Sequence, residues 1–147
     1  MKDLPPFQTV AAVITDTRGR VLLVRKRGST TFIQPGGKRE PGESALQTLA
    51  RELHEELGVH LRPGSAALLG HFEDRAVNEP GRRVRAEVYR VQVDGEPFTA
   101  AEIEALFWLD PAPPYPVPVA PLSAAHILPA HRTLGGGLSG PSSADPS

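Results

Sequence analysis

Residues 37–59 run Gly-Lys-Arg-Glu-Pro-Gly-Glu-Ser-Ala-Leu-Gln-Thr-Leu-Ala-Arg-Glu-Leu-His-Glu-Glu-Leu-Gly-Val. The acids Glu52, Glu55 and Glu56 stand three and four residues apart, which places them on one side of a helix. Glu43 stands at the mouth of that helix, after a Gly/Pro-rich loop. Clustered carboxylates repel one another unless a cation sits among them. A hard divalent cation such as Mg2+, with Mn2+ as the alternative, prefers oxygen ligands and resolves the conflict. The stretch therefore reads as a metal site. Gly37 extends it, because a residue without a side chain lets the backbone carbonyl approach an ion closely. Glu43 is a further candidate, directly or through water. Arg51 reads as the residue that orients an acid, by pairing with Glu55 one turn on or with Glu43.

These residues need a helix to carry them, and the helix is the clearest element in the chain. Ser44 suits the N-cap and Gln47 stands three residues on, the spacing of a capping box. Gly58 sits where a left-handed C-terminal cap is expected. At about 100° per residue, Leu46, Leu49, Ala50, Leu53 and Leu57 fall on one arc and the acids on the next. One face is thus predicted to pack on a core while its neighbour holds the acids. Strands are predicted at 8–15 and 20–27, joined across Asp16-Thr17-Arg18-Gly19 as a hairpin. A short strand is predicted at 31–34, stopped by Pro35-Gly36-Gly37. Further strands are predicted at 66–72, 83–93 and 103–109, with a charged loop over 73–82 and a turn at 94–97. Nine of the 16 prolines lie from Pro111 onward, so regular sheet ends there. A short helix capped by Ser123 is predicted over 122–130. Residues 135–147 are rich in Gly, Ser and Pro and are predicted to be a disordered tail, leaving one domain over 1–134. The order of elements predicts an α/β class with a mixed sheet between helices.

The pattern Gly37-x5-Glu43-x7-Arg51-Glu52-Leu53-x-Glu55-Glu56-x-Gly58-Val59 resembles the Nudix box of the MutT/Nudix hydrolase family at every defined position. Pro35-Gly36 before it and Val24-Arg25-Lys26-Arg27 extend the likeness. The resemblance implies an α/β/α sandwich and hydrolysis of a nucleoside diphosphate linked to another group, assisted by Mg2+ or Mn2+. It also implies that Glu52, Glu55 and Glu56 ligate the metal. It leaves the general base open between the box, where Glu55 or Glu56 would serve, and a later loop. Outside the box Glu102 is the first candidate, with Glu104, Glu87 and Glu79 behind it. Arg25 and Arg27 point to the side opposite Lys26 in a strand and are candidate phosphate clamps. Phe32 is a candidate to stack a base, and Gln34 is a candidate substrate contact beside the Gly-Gly turn.

The rest of the sequence narrows the function. The chain has 147 residues, enough for one domain with a core. A formal net charge of −1 gives no global basic field for nucleic acid; the resemblance implies a small nucleotide or nucleotide derivative as the partner. There is no cysteine, hence no disulfide framework or thiolate metal site. No long apolar run suggests a membrane span, and a cytoplasmic protein, monomeric or a homodimer, is the expectation. Three rivals share the fold. A nucleotide-sensing module would be expected to lose acids that are all present here. An isoprenoid-diphosphate isomerase would call for a catalytic cysteine. An RNA-cap hydrolase would call for a basic patch.

Overall fold

The computed structural model of this chain describes residues 4–136. Of the predicted tail, residues 137–147 lie outside the described residues, while Gly135 and Gly136 fall in a final helical turn.

β1 (Phe7–Ile14) is the organising strand. Its apolar residues leave no solvent face: Val10, Ala12 and Ile14 join one buried cluster, Ala11 and Val13 the other. A strand buried on both faces needs a neighbour on both edges. One edge takes β3 (Gly36–Lys38) antiparallel, with Ala11 opposite Gly36. The other takes β6 (Arg83–Val91) in parallel, from Phe7 opposite Val84 to Ile14 opposite Val91. β5 (Ala67–Arg75) then pairs antiparallel with β6, completing a mixed sheet in the order β3-β1-β6-β5. β2 (Val21–Lys26) and β8 (Ile103–Leu109) form a separate antiparallel ladder. β4 (His60–Leu61) and β7 (Val93–Asp94) make a third, short one.

The predicted hairpin is only half made. Its turn forms: the Asp16 carboxylate accepts from the Arg18 and Arg20 N–H groups, and Thr15 bridges Val21. Beyond that bridge the strands part, because both edges of β1 are already taken and β2 pairs with β8. The strand predicted at 31–34 is instead two isolated bridges, at Phe32 and Ile33. The regular ladder forms one step later, in the Gly-Gly turn itself. The predicted 73–82 loop is shorter than expected, since β5 runs to Arg75 and Glu73 pairs with Arg83 at 2.8 Å.

α1 (Ala45–Leu57) forms as predicted. Ser44 and Gln47 make a reciprocal capping box, and Gly58 ends the helix at φ 70° with its N–H on the His54 carbonyl. Leu49, Leu53 and Leu57 are fully buried against Val10, Ala12, Leu22 and Val24. Leu46 is exposed, contrary to the predicted arc; Ala45 and Thr48 take that side. On the opposite face lies a helical segment made of a π-helical turn (Leu122–Ile127), α2 (Leu128–His131) and a second π-helical turn (Arg132–Gly136). Ile127 and Leu128 pack on Ala11, Val13, Leu23 and Val88. Ser123 does not cap it: Pro121 precedes the first turn, and Ser123 is buried. The chain is thus a mixed α/β sandwich, its strands held between two helical layers. Among the described residues no helix is long and apolar enough to cross a membrane.

Candidate active site

The site begins where β3 crosses α1. Gly36 holds φ 145°, a left-handed region that L side chains rarely adopt. A Cβ there would lie 2.1 Å from the Val10 carbonyl oxygen. A Cβ on Gly37 would lie 2.3 Å from the Glu52 carboxyl carbon. The two glycines therefore let the β3 backbone slide between β1 and the acidic face of α1. The Gly36 N–H donates to Glu56 Oε1 at 3.2 Å. Glu56 is 4% exposed. Burial pushes its carboxyl up to about 8; the Gly36 N–H opposes the shift and the neighbouring Glu52 charge adds to it. Burial also raises Glu52, against the pull of Arg51. Two carboxylates that resist ionisation side by side, against bare backbone, form a place where a cation lowers the free energy.

Arg51 organises the acids on the outer side. Its Nε donates to Glu43 at 2.7 Å, and its Nη1 to Glu52 at 3.0 Å and Glu55 at 3.3 Å. Its Nη2 donates to the Lys38 carbonyl at 3.2 Å. The Arg51 guanidinium, with help from the Glu40 N–H and the Thr48 hydroxyl, holds the Glu43 carboxyl down at about 2. Glu43 is thereby a tether between loop and helix. Glu55 lies at the exposed end of this network. Among the described residues no three acidic or imidazole groups stand together as a ready cation cage. Glu52 and Glu56 with the Gly37 carbonyl fit a different donor set: Mg2+ usually keeps several waters and takes only one or two carboxylates.

Above this floor opens a cavity of about 450 Å³. Glu52, Glu56, Gly36 and Gly37 line one part of it; Ile33, Gln34, Val84, Ala86, Leu122 and Ser123 line a mainly apolar part. Glu102 reaches it from the bend before β8, paired with Lys26 at 3.6 Å. Ala101, at φ 52°, makes that bend, and the Glu102 carbonyl accepts from the Arg27 N–H.

Gln34, Gly37, Glu52, Glu56 and Glu102 line this cavity, and Arg51 ties Glu43 and Glu55 to Glu52 behind it. The structure does not bring the other candidates there, Glu79 at the rim excepted. Arg25 bonds the Ser29 carbonyl and pairs with Glu104, and Arg27 reaches the Ala101 carbonyl. Lys26, on the other side of the strand, lines the cavity, as do Lys38 and Arg75. Phe32 is core, packed on Phe107. Glu79 lines the rim and pairs with Lys38; Glu87 takes Arg39 and Tyr89. Sequence reasoning missed Lys26, although the strand alternation that separated it from Arg25 was visible. Nothing in the sequence signalled that Ser123 and Leu122 would form a wall.

Comparison with known proteins adds four observations. The NUDIX domain family model matches residues 5–129. A CTP pyrophosphohydrolase of Escherichia coli (strain K12) is 33% identical over 116 residues, covering 76% of this chain and 82% of the relative. The solution structure of the E. coli ORF135 protein aligns with a TM-score of 0.70 at 28% identity, covering 93% of this chain and 96% of that one. The crystal structure of a MutT NUDIX hydrolase from Burkholderia pseudomallei aligns with a TM-score of 0.61 at 30% identity, covering 71% and 83%.

Proposed function

The chain belongs to the Nudix hydrolase family, enzymes of pyrophosphate bonds, and on that premise we propose that it is a Mg2+-dependent pyrophosphohydrolase of a compact nucleotide such as a nucleoside triphosphate. One observation carries the proposal. Glu56, a buried acid with its pKa raised to about 8, lies beside Glu52 on a Gly-Gly backbone at the floor of a nucleotide-sized cavity. The CTP pyrophosphohydrolase relative supports the substrate class.

Glu52, Glu56 and the Gly37 carbonyl would hold the cation, with Glu55 at the solvent side. The cation supplies charge neutralisation of the diphosphate and a lowered pKa for a bound water. The chain's own residues do the rest. Arg51, fastened by Glu43, keeps Glu52 turned to the site. Lys26 places a positive charge where phosphate oxygens would lie. Glu102 stands beside Lys26 as the candidate general base outside the box. The apolar walls at Ile33, Val84, Ala86 and Leu122 exclude water from the remainder of the nucleotide.

The test is a nucleotide-panel assay with Mg2+ and with Mn2+, in which the products are identified. The expected result is metal-dependent release of a nucleoside monophosphate with pyrophosphate, or of another cleaved diphosphate. Binding of nucleotides without cleavage in any metal would overturn the reading in favour of a sensing module.

A further inference from the structure

The parallel pair β1–β6 has two ends, and the catalytic cavity uses only one. That cavity takes Phe7 to Ala11 of β1 and Val84 and Ala86 of β6. A second cavity, of about 230 Å³, opens at the carboxyl ends of the same two strands. Val13 lines it from β1 and Thr15 from just beyond, Arg90 and Val91 from β6 and Gln92 from just beyond, and His131 from α2. The cavities share no lining residue. At about 3.3 Å per residue, Thr9 and Val13 lie about 13 Å apart along β1.

We propose that this second cavity is a binding site for a small oxyanion of the phosphate class, distinct from the catalytic site. Three features carry it. His131 is 6% exposed, and its Nδ1 is buried without a hydrogen-bond partner among the described residues. Buried polar atoms are rarely left so, and the missing partner is an invitation to a ligand. Next, Arg90 is half-buried in the cavity wall. Like Arg18, Arg27, Arg75, Arg82, Arg85 and Arg132, Arg90 has no ion-pair partner among the described residues, whereas Arg62 beside Gln92 is held by Asp94. Its charge reaches His131, where with burial it holds the imidazole below its ordinary pKa. An anion between the two would satisfy both. Last, no carboxylate among the described residues lines the cavity, while Gln92 keeps its side-chain NH2 as a donor because its Oε1 is taken by Arg62 at 2.8 Å. A half-buried guanidinium, an imidazole nitrogen and an amide donor around a small polar void match the oxygens of a tetrahedral anion.

The experiment is a titration of the whole protein with inorganic phosphate in excess chelator, which keeps metal-bridged phosphate out of the catalytic cavity. The ring signals of the five histidines are followed by NMR. The expected result is a saturable shift of His131, the other four moving less. The shift should be at least tenfold weaker in Arg90→Gln, while nucleotide hydrolysis stays within about twofold of the native rate. Sulfate should reproduce the shift and acetate should not. The native titration needs no variant: an unmoved His131 overturns the proposal even where Arg90→Gln fails to fold. Equal response to acetate, or a shift that survives in a folded Arg90→Gln, overturns it as well.

Discussion

Glu56 shows how one residue can oppose the fold in order to serve a site. Its ordinary carboxyl value of 4.5 is raised to about 8 by burial. The folded chain therefore holds this proton more tightly than the unfolded chain. The linked stability is complete below pH 4.5 and is lost as pH rises toward 8. A shift of this size is worth a few kcal/mol, about 1.4 for each pKa unit. Glu56→Gln keeps the acceptor for the Gly36 N–H and removes the charge. In metal-free buffer the variant should thus be more stable than the native chain at pH 8 by roughly 2–4 kcal/mol, with the gap closing by pH 5. Its hydrolysis should fall at least about 100-fold. Denaturant midpoints at the two pH values, with the activity measured alongside, test this. A variant no more stable than the native chain at pH 8 would show that Glu56 carries no stored charge cost.

The elements explain which parts of this could be read from sequence. α1 was legible to its caps because its signals are local: Ser44 and Gln47 close on each other, and Gly58 supplies its own left-handed turn. The box acids followed from helix phase. The Gly-Gly strand was not legible. Its ladder with β1 is set by a contact twenty-five residues away, Ala11 opposite Gly36, and glycines carry no strand propensity. The half-made hairpin failed for the same reason: its turn is local, but the competition for the edges of β1 is not. Lys26 was overlooked because strand alternation separates it from Arg25 and Arg27 without saying which of the two sides faces the site. The two glycines of β3 make opposite predictions. Gly36→Ala must force a Cβ onto the β1 backbone and should cost more than about 3 kcal/mol or prevent folding. Gly37 has ordinary backbone angles, and its Cβ would meet only the end of the Glu52 side chain. Gly37→Ala should stay within about 1 kcal/mol of native stability and lose about 100-fold in kcat, since Glu52 must turn away. Thermal melts and kcat on the two variants separate these outcomes; equal destabilisation would remove the claim that Gly37 is kept for the site.

At the scale of the whole molecule, the sheet divides two tasks between its faces. The face under α1 buries Leu49, Leu53 and Leu57 and carries the acids. The face under the C-terminal helical segment buries Ile127 and Leu128 and carries the wall at Leu122 and Ser123. Both cores rest on alternate residues of the same strand, so each layer braces the other through β1. Removing a fully buried leucine from either face should cost a similar amount, about 2–5 kcal/mol. The kinetic consequences should differ. Leu53→Ala loosens the helix next to Glu52 and Glu56, and should lower kcat with little change in KM. Leu128→Ala loosens the segment that walls the rest of the cavity, and should raise KM with kcat nearly unchanged. Steady-state kinetics well below each melting midpoint read the split directly. If both variants change the same parameter by the same factor, the faces are one mechanical unit, and the division of chemistry from substrate holding across β1 is wrong.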